Sequence, residues 1–164
     1  MPTTRTRATI RAATVADLDV VTELRLALLR EHAGNPIYGR LRVDADVRAR
    51  RLFATQLESP DEVVLLAERD GAVAGILRCV DSAGSPLLHP ARYGYVSSVY
   101  VVPPHRRSGV LRALLGAAEN WCLGRGLREM RLHNAADNPL AARTWASLGF
   151  ALVEELRVRQ LGAR

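Results

Sequence analysis

The sequence predicts one α/β domain over residues 1–164, a mixed, mostly antiparallel sheet of six or seven strands flanked by about four helices. Three observations predict it. The length of 164 residues suffices for one full hydrophobic core, and no linker-like stretch divides it. Apolar residues at 48% and charged residues at 24% exclude disorder and collagen-like repeats. Runs of period-two and period-3.6 apolar patterning alternate in the order β-α-α-β-β-β-α-β-α-β, with room for one more strand at the end.

The elements follow from local chemistry. Ala8 to Ala13 reads as a short first strand. Thr14-Val15-Ala16-Asp17 has the form of a capping box, a hydroxyl and a carboxylate placed to satisfy unpaired N–H groups at a helix start. That helix runs to about Arg30, with Leu18, Val21, Leu24 and Leu28 on one face. Glu31 to Leu41, carrying Gly34, Asn35-Pro36 and Gly39, is a loop. Asp44 to Leu57 is a second helix, stopped before Ser59-Pro60. Glu62 to Arg69 and Ala72 to Val80 are β-rich and meet at Asp70-Gly71, a hairpin signal. After a loop over Asp81 to Arg92, Tyr93 to Val102 reads as a long strand ended by Pro103-Pro104. Gly109 to about Gly124 is helical, with Leu111, Leu114, Leu115 and Ala118 on one face. Leu127 to His133 alternates like a strand. Asn138 to Leu148 is a helix with an asparagine N-cap, proline at its first position and Gly149 past its end. Phe150 to Leu161 is expected to supply one or two final strands.

Net charge is +6, from 23 basic and 17 acidic residues, and every basic residue is arginine. The absence of lysine removes the Walker A loop, pyridoxal-phosphate Schiff bases and lysine nucleophiles. The excess charge favours an anionic partner, but acids interleave with the arginines and no long basic tract stands out. Cys79 and Cys122 are too few and too far apart for a disulfide scaffold or a zinc knuckle, so no metal is expected and a reducing, cytoplasmic setting is. Val63 to Ala67, the longest purely apolar run, is too short to span a bilayer, and no apolar segment follows Met1. No membrane partner is expected.

The stretch most charged with chemistry is Tyr100-Val101-Val102-Pro103-Pro104-His105-Arg106-Arg107-Ser108-Gly109-Val110-Leu111. A strand ends, an arginine-containing turn follows, and a glycine admits the backbone into a helix. Such a helix start offers unpaired N–H groups and partial positive charge to phosphate oxygens. Arg106, Arg107 and Arg112 add bidentate donors, Ser108 a hydroxyl, and Gly109 the absence of a Cβ. One strand later comes Asn138-Pro139-Leu140-Ala141, followed by Trp145-Ala146-Ser147-Leu148-Gly149-Phe150.

Together these resemble the two motifs of the GNAT superfamily of acetyl-CoA-dependent N-acyltransferases. Val99-Tyr100-Val101 and Arg106 to Leu111 are similar to its strand end followed by Q/R-x-x-G-x-G/A. Asn138, Ala141, Trp145, Gly149 and Phe150 are similar to N-x-x-A-x-x-x-Y-x-x-x-G-F. The chain departs from the pattern in three places. Leu111 replaces a small residue, Trp145 replaces a tyrosine that often protonates the leaving thiolate, and Ser97 stands where many relatives place a glutamate.

The resemblance implies a V-shaped sheet with acetyl-CoA as co-substrate in the opening between Tyr93–Val102 and Leu127–His133. Its diphosphate would lie on the N–H groups of Arg107, Ser108, Gly109, Val110, Leu111 and Arg112, beside Arg106. Its pantetheine would pair with Val99, Tyr100 and Val101, and Asn138 and Trp145 would flank it. An amine of a small molecule or peptide would attack the thioester directly. Glu31, Tyr38 and His133 are the candidate catalytic groups, and Glu31–Leu41 with Asp81–Arg92 would frame the acceptor. A homodimer is in keeping with the family. Trp145 and the missing glutamate also fit a non-catalytic acyl-CoA sensor on the same fold. A basic nucleic-acid module is disfavoured, since neither a helix-turn-helix nor an RNA-binding strand motif is present.

Overall fold

The computed structural model describes residues 7–162. The sheet is built from β1 (Thr9–Ala12), β2 (Glu62–Arg69), β3 (Ala72–Ala83), β4 (Arg92–Val101) and β5 (Met130–Leu132). Its helices are α1 (Leu18–Glu31), α2 (Ala45–Glu58), α3 (Val110–Gly124) and α4 (Pro139–Ser147). The strands lie in the order β1-β2-β3-β4-β5. The first four pair antiparallel, and β5 pairs parallel to β4. The expected six or seven strands are therefore five among the described residues, and the expected final strands over Phe150 to Leu161 do not form. Residues 151–162 make no strand pairing, with Leu152, Val153 and Leu161 more than four-fifths exposed. Alternation of apolar and polar residues marks a segment able to lie on a sheet, but it does not supply the neighbouring strand.

Period-two alternation sends β2 and β3 side chains to two separate cores, one on each face. On one face Leu65, Ala67, Leu77, Cys79 and Val96 pack against Val110, Leu114, Ala118 and Cys122 of α3. On the other, Val64, Leu66, Ile76 and Tyr100 pack against Val21, Leu24 and Leu26 of α1 and Phe53 of α2. Gly94 lets α3 approach this closely: a Cβ there would lie 2.4 Å from the Cys122 sulfur. Cys79 and Cys122 are buried unoxidised thiols 3.6 Å apart, and burial pushes both upward from the ordinary thiol range. Neither is a nucleophile.

The capping box closes as the sequence predicts. Thr14 N–H donates to Asp17 Oδ2 at 2.8 Å at the start of the 3₁₀ turn Val15–Asp17 that leads into α1. Arg11 of β1 clamps the same carboxylate through Nη1 and Nη2, both at 2.8 Å, and reaches Glu68 of β2 through Nε at 2.7 Å. This fork ties strand, cap and hairpin together.

Two measurements test these packing statements. Gly94→Ala is expected to destabilise the fold by about 1–3 kcal/mol, the usual cost of an overpacked core, read as a lowered urea midpoint. The Arg11 guanidinium lowers the Asp17 carboxyl from 3.8 to about 2. A carboxyl depressed in the folded state stabilises fully above its unfolded value, and that contribution disappears as pH falls through the folded value. Asp17→Asn should therefore cost about 2 kcal/mol at pH 7, and the difference from wild type should close between about pH 4 and pH 2.

Candidate active site

The site begins where β5 ends. β5 pairs with β4 at Gly94, Tyr95 and Val96, and beyond Val96 the strand runs on to Val101 with β3 as its single neighbour. A bulge lies at this point. The register with β3 passes from Ile76↔Tyr100 to Arg78↔Ser97, so β4 spends one more residue than β3, and Ser98 sits at φ 52. A left-handed serine costs roughly 1–2 kcal/mol and increases the local bend and twist of its strand. Val102 N–H donates to Ala74 O of β3 at 3.0 Å. Alternation then turns the peptide groups of Val101 and Val99 to the opposite, unpartnered edge. At that edge Val101 O accepts from Arg106 Nε at 2.8 Å.

The turn after β4 is held by side chains. Arg107 at φ 58 and Gly109 at φ 86 flank Ser108 in left-handed conformations that wind the chain tightly into α3. Ala113 N–H reaches Gly109 O at 3.0 Å, leaving the N–H groups of Val110, Leu111 and Arg112 without helical partners. Nothing lies within 4 Å of where a Gly109 Cβ would be, so the space before these donors is open. Ser108 Oγ donates to His105 O and accepts from Arg69 Nη1 at 2.6 Å, while Arg69 Nη2 donates to Ser108 O at 3.2 Å. Arg69, 8% exposed, is thus a strut for the turn, and its Nε is buried without a partner. The sequence offers no signal for it beyond its place before the Asp70-Gly71 turn. A cleft of about 710 Å³ opens on the β1 side of this turn, lined by Arg69, Ser108, Gly109 and Arg112 among others.

The other expected cofactor residues fall on this frame with distinct roles. Val110 is core, 1% exposed, and can offer a ligand its main chain but not its side chain; Leu111 is half-buried. Arg107 and Arg112 are exposed beside the turn. Arg106 is turned away from it. Its Nη2 donates to Glu31 Oε1 at 2.6 Å, and its guanidinium lies 5.4 Å from the Tyr100 ring centroid. Asn138 caps α4 by accepting from Ala141 N–H at 3.0 Å, and Trp145 packs edge-on against Phe150 with centroids 5.5 Å apart.

The catalytic candidates separate. Glu31, at the end of α1, is committed to Arg106. Tyr38 is exposed and faces the His32 ring at 6.0 Å. His133, one residue past β5, pairs through Nδ1 with the Tyr95 hydroxyl at 2.8 Å, and burial pushes the Tyr95 phenol upward. Tyr95 becomes visible as a partner only when β4 and β5 lie side by side. The segment after α1 crosses the opening, where Asn35 Nδ2 reaches Asp137 Oδ1 at 3.4 Å. The turn before Arg92, expected at the acceptor, lies instead at the far end of β4, about 20 Å along the strand from Ser98.

Among the described residues no helix is long and apolar enough to cross a membrane, and no group of three or more His, Cys, Asp or Glu side chains could hold a metal ion.

Known proteins are similar to this chain in sequence and in fold. The chain is 34% identical over 125 residues to the mycothiol acetyltransferase of Cellulomonas flavigena, covering 74% of this chain and 35% of that one. It is 29% identical over 98 residues to the aminoglycoside N(6')-acetyltransferase type 1 of Klebsiella aerogenes, covering 60% of this chain and 64% of the other. The chain thus spans less than two thirds of either relative. The crystal structure of a predicted acetyltransferase from Clostridium acetobutylicum with acetyl-CoA superposes with a TM-score of 0.77 at 18% identity, over 94% of this chain and 96% of that one, and shares its fold. The model of the acetyltransferase (GNAT) family matches residues 24–150, taking in the open edge of β4, the Arg106–Gly109 turn and α4. The chain belongs to the acetyltransferase (GNAT) family.

Proposed function

We propose that this protein transfers an acetyl group from acetyl-CoA to a primary amine by direct attack within a ternary complex. The observation that carries the reading is the unpaired edge of β4 running into the glycine-gated start of α3. The edge presents main-chain partners for an amide-containing arm, and the helix start presents main-chain donors for a diphosphate. Family membership supports acetyl-CoA as the molecule that has both. Val99 and Val101 would hold the pantetheine arm, and Val110, Leu111 and Arg112 the diphosphate through their N–H groups. Ser108 keeps the turn in shape rather than binding directly.

The chemistry then needs little more. A main-chain N–H on β4 polarises the thioester carbonyl as the tetrahedral oxyanion forms. An alkyl amine with a pKa near 10.4 is only about one part in several thousand neutral at pH 7, so removing its proton matters by roughly 10³. His133, held by Tyr95 at 2.8 Å, would receive that proton, directly or through water. Glu31 is occupied by Arg106 and serves to close α1 onto the end of β4. The leaving thiol has a pKa near 8.5, so it departs as thiolate at little cost, and the indole at 145 need not donate a proton. Two buried unoxidised thiols fit a reducing cytoplasmic compartment. A homodimer is compatible with the exposed apolar side chains after α4.

Gly109 and the Tyr95–His133 pair test the reading. Asparagine and aspartate tolerate the left-handed backbone similarly, so Gly109→Asn and Gly109→Asp differ in charge alone. CoA affinity by calorimetry should fall on the order of tenfold further in the aspartate variant, and no heat from CoA with wild type would sink the assignment. Tyr95→Phe and His133→Gln should each lower kcat by about 10²-fold with CoA affinity unchanged. CoA binding with no turnover on any amine would favour the acyl-CoA sensor.

A further inference from the structure

We propose that the acceptor amine carries a carboxylate, and that an arginine-lined cavity between α1 and α2 binds it. The chemistry of this proposal rests on the acetyl-transfer reading; the binding rests on the cavity. That cavity, about 450 Å³, lies on the α1–α2 face of the sheet and touches β4 at Ser98, the bulge residue where the open edge begins. Leu28, Leu29, Leu41, Leu52 and Phe53 give it apolar walls. Its charged lining is Arg25, Arg40, Arg42 and Arg48, with no carboxylate among the lining residues.

Arg25 is the decisive member. It is 8% exposed, its guanidinium stacks 3.6 Å from the Phe53 centroid, and Nη1 donates to the neutral Gln56 Oε1 at 2.6 Å. The charges facing it are Arg78 and Glu62, which pair with each other. Burial pushes the Arg25 guanidinium down to about 9, so it stays protonated at neutral pH. A buried cation without a counter-ion is costly to hold, and an entering anion offsets that cost through a fork matched to a carboxylate. At the mouth Arg42 and Arg48 share the carboxylate of Asp44 at 3.0 and 2.6 Å. Arg40 is anchored on Pro36 O and on Gln160 Oε1. With Asp44 counted, the cavity remains strongly positive.

This chemistry selects against polycations. An aminoglycoside would meet four arginines there and no carboxylate on the lining. An α-amino acid with an apolar side chain satisfies each feature: its carboxylate meets Arg25, its side chain the leucines, and its amine is left toward Ser98 and the open edge of β4.

The test uses the full-length protein and two matched pairs, L-phenylalanine with phenethylamine and L-leucine with 3-methylbutylamine, each differing in the carboxylate alone. Kanamycin serves as the polycation. CoA release from acetyl-CoA reads kcat/KM, and calorimetry on CoA-loaded protein reads binding independently of turnover. The carboxylate member should be favoured on the order of tenfold or more in both measurements, with kanamycin neither bound nor acetylated. Arg25→Met and Arg48→Glu should erase most of that preference while leaving acetyl-CoA affinity in place. Arg48 is exposed on α2, so its variant keeps the test alive if Arg25→Met fails to fold. Equal or better binding of the carboxylate-free amines or of kanamycin would overturn the proposal. Calorimetric preference for the amino acids without CoA release would uphold the cavity and overturn acetyl transfer. Turnover without preference would do the reverse.

Discussion

A backbone that stops being paired halfway along a strand governs this molecule. β4 has neighbours on both sides through Val96 and on one side from Ser97 to Val101. Peptide groups in a protein interior must be hydrogen-bonded, and an unpaired edge is normally covered or blunted. Here part of the requirement is met by Arg106 at Val101 O, and the remainder faces an opening bordered by the turn into α3. The left-handed Ser98 and the three-residue length of β5 are two aspects of one constraint: the strand bends away where its neighbour ends.

Arginine does most of the polar construction around that opening. Arg69 braces the Ser108 turn, Arg106 joins the end of β4 to α1, Arg78 closes on Glu62, and Arg11 locks the cap of α1 to the first hairpin. Each uses the planar fork to satisfy two groups at once, which an ammonium does less well. The charge of the chain is therefore not a uniform attraction for anions. It is mostly neutralised where arginines build structure; between α1 and α2, Arg42 and Arg48 share Asp44, while the buried Arg25 meets the neutral Gln56.

How much was legible in the sequence follows from where each piece of information resides. The capping box, the Asp70-Gly71 hairpin, the stop at Pro103-Pro104, the glycine before α3 and the Asn138 cap are local, and each occurs within a residue or two of its expected place. The turn into α3 was legible for the same reason, because a left-handed glycine and free helix N–H groups depend on a few consecutive residues. Arg106 was readable as a cation beside the turn, but its direction depends on Glu31, 75 residues away. Tyr95 and His133 are 38 residues apart, and no spacing rule links them. The segment after Phe150 shows the opposite limit: its alternation is strand-like, yet it has no neighbour with which to form a strand.

The sequence by itself determined the class of fold, the order of all four helices and five of the strands, and the glycine-gated turn into α3, because these depend on propensities and caps between near neighbours. Tertiary structure decided which edge stays open, which arginines are struts and which is buried against a neutral partner, and which ionisable groups meet across β4 and β5. Those outcomes depend on pairing, burial and charge balance between residues far apart in the chain, and composition and periodicity hold no record of them.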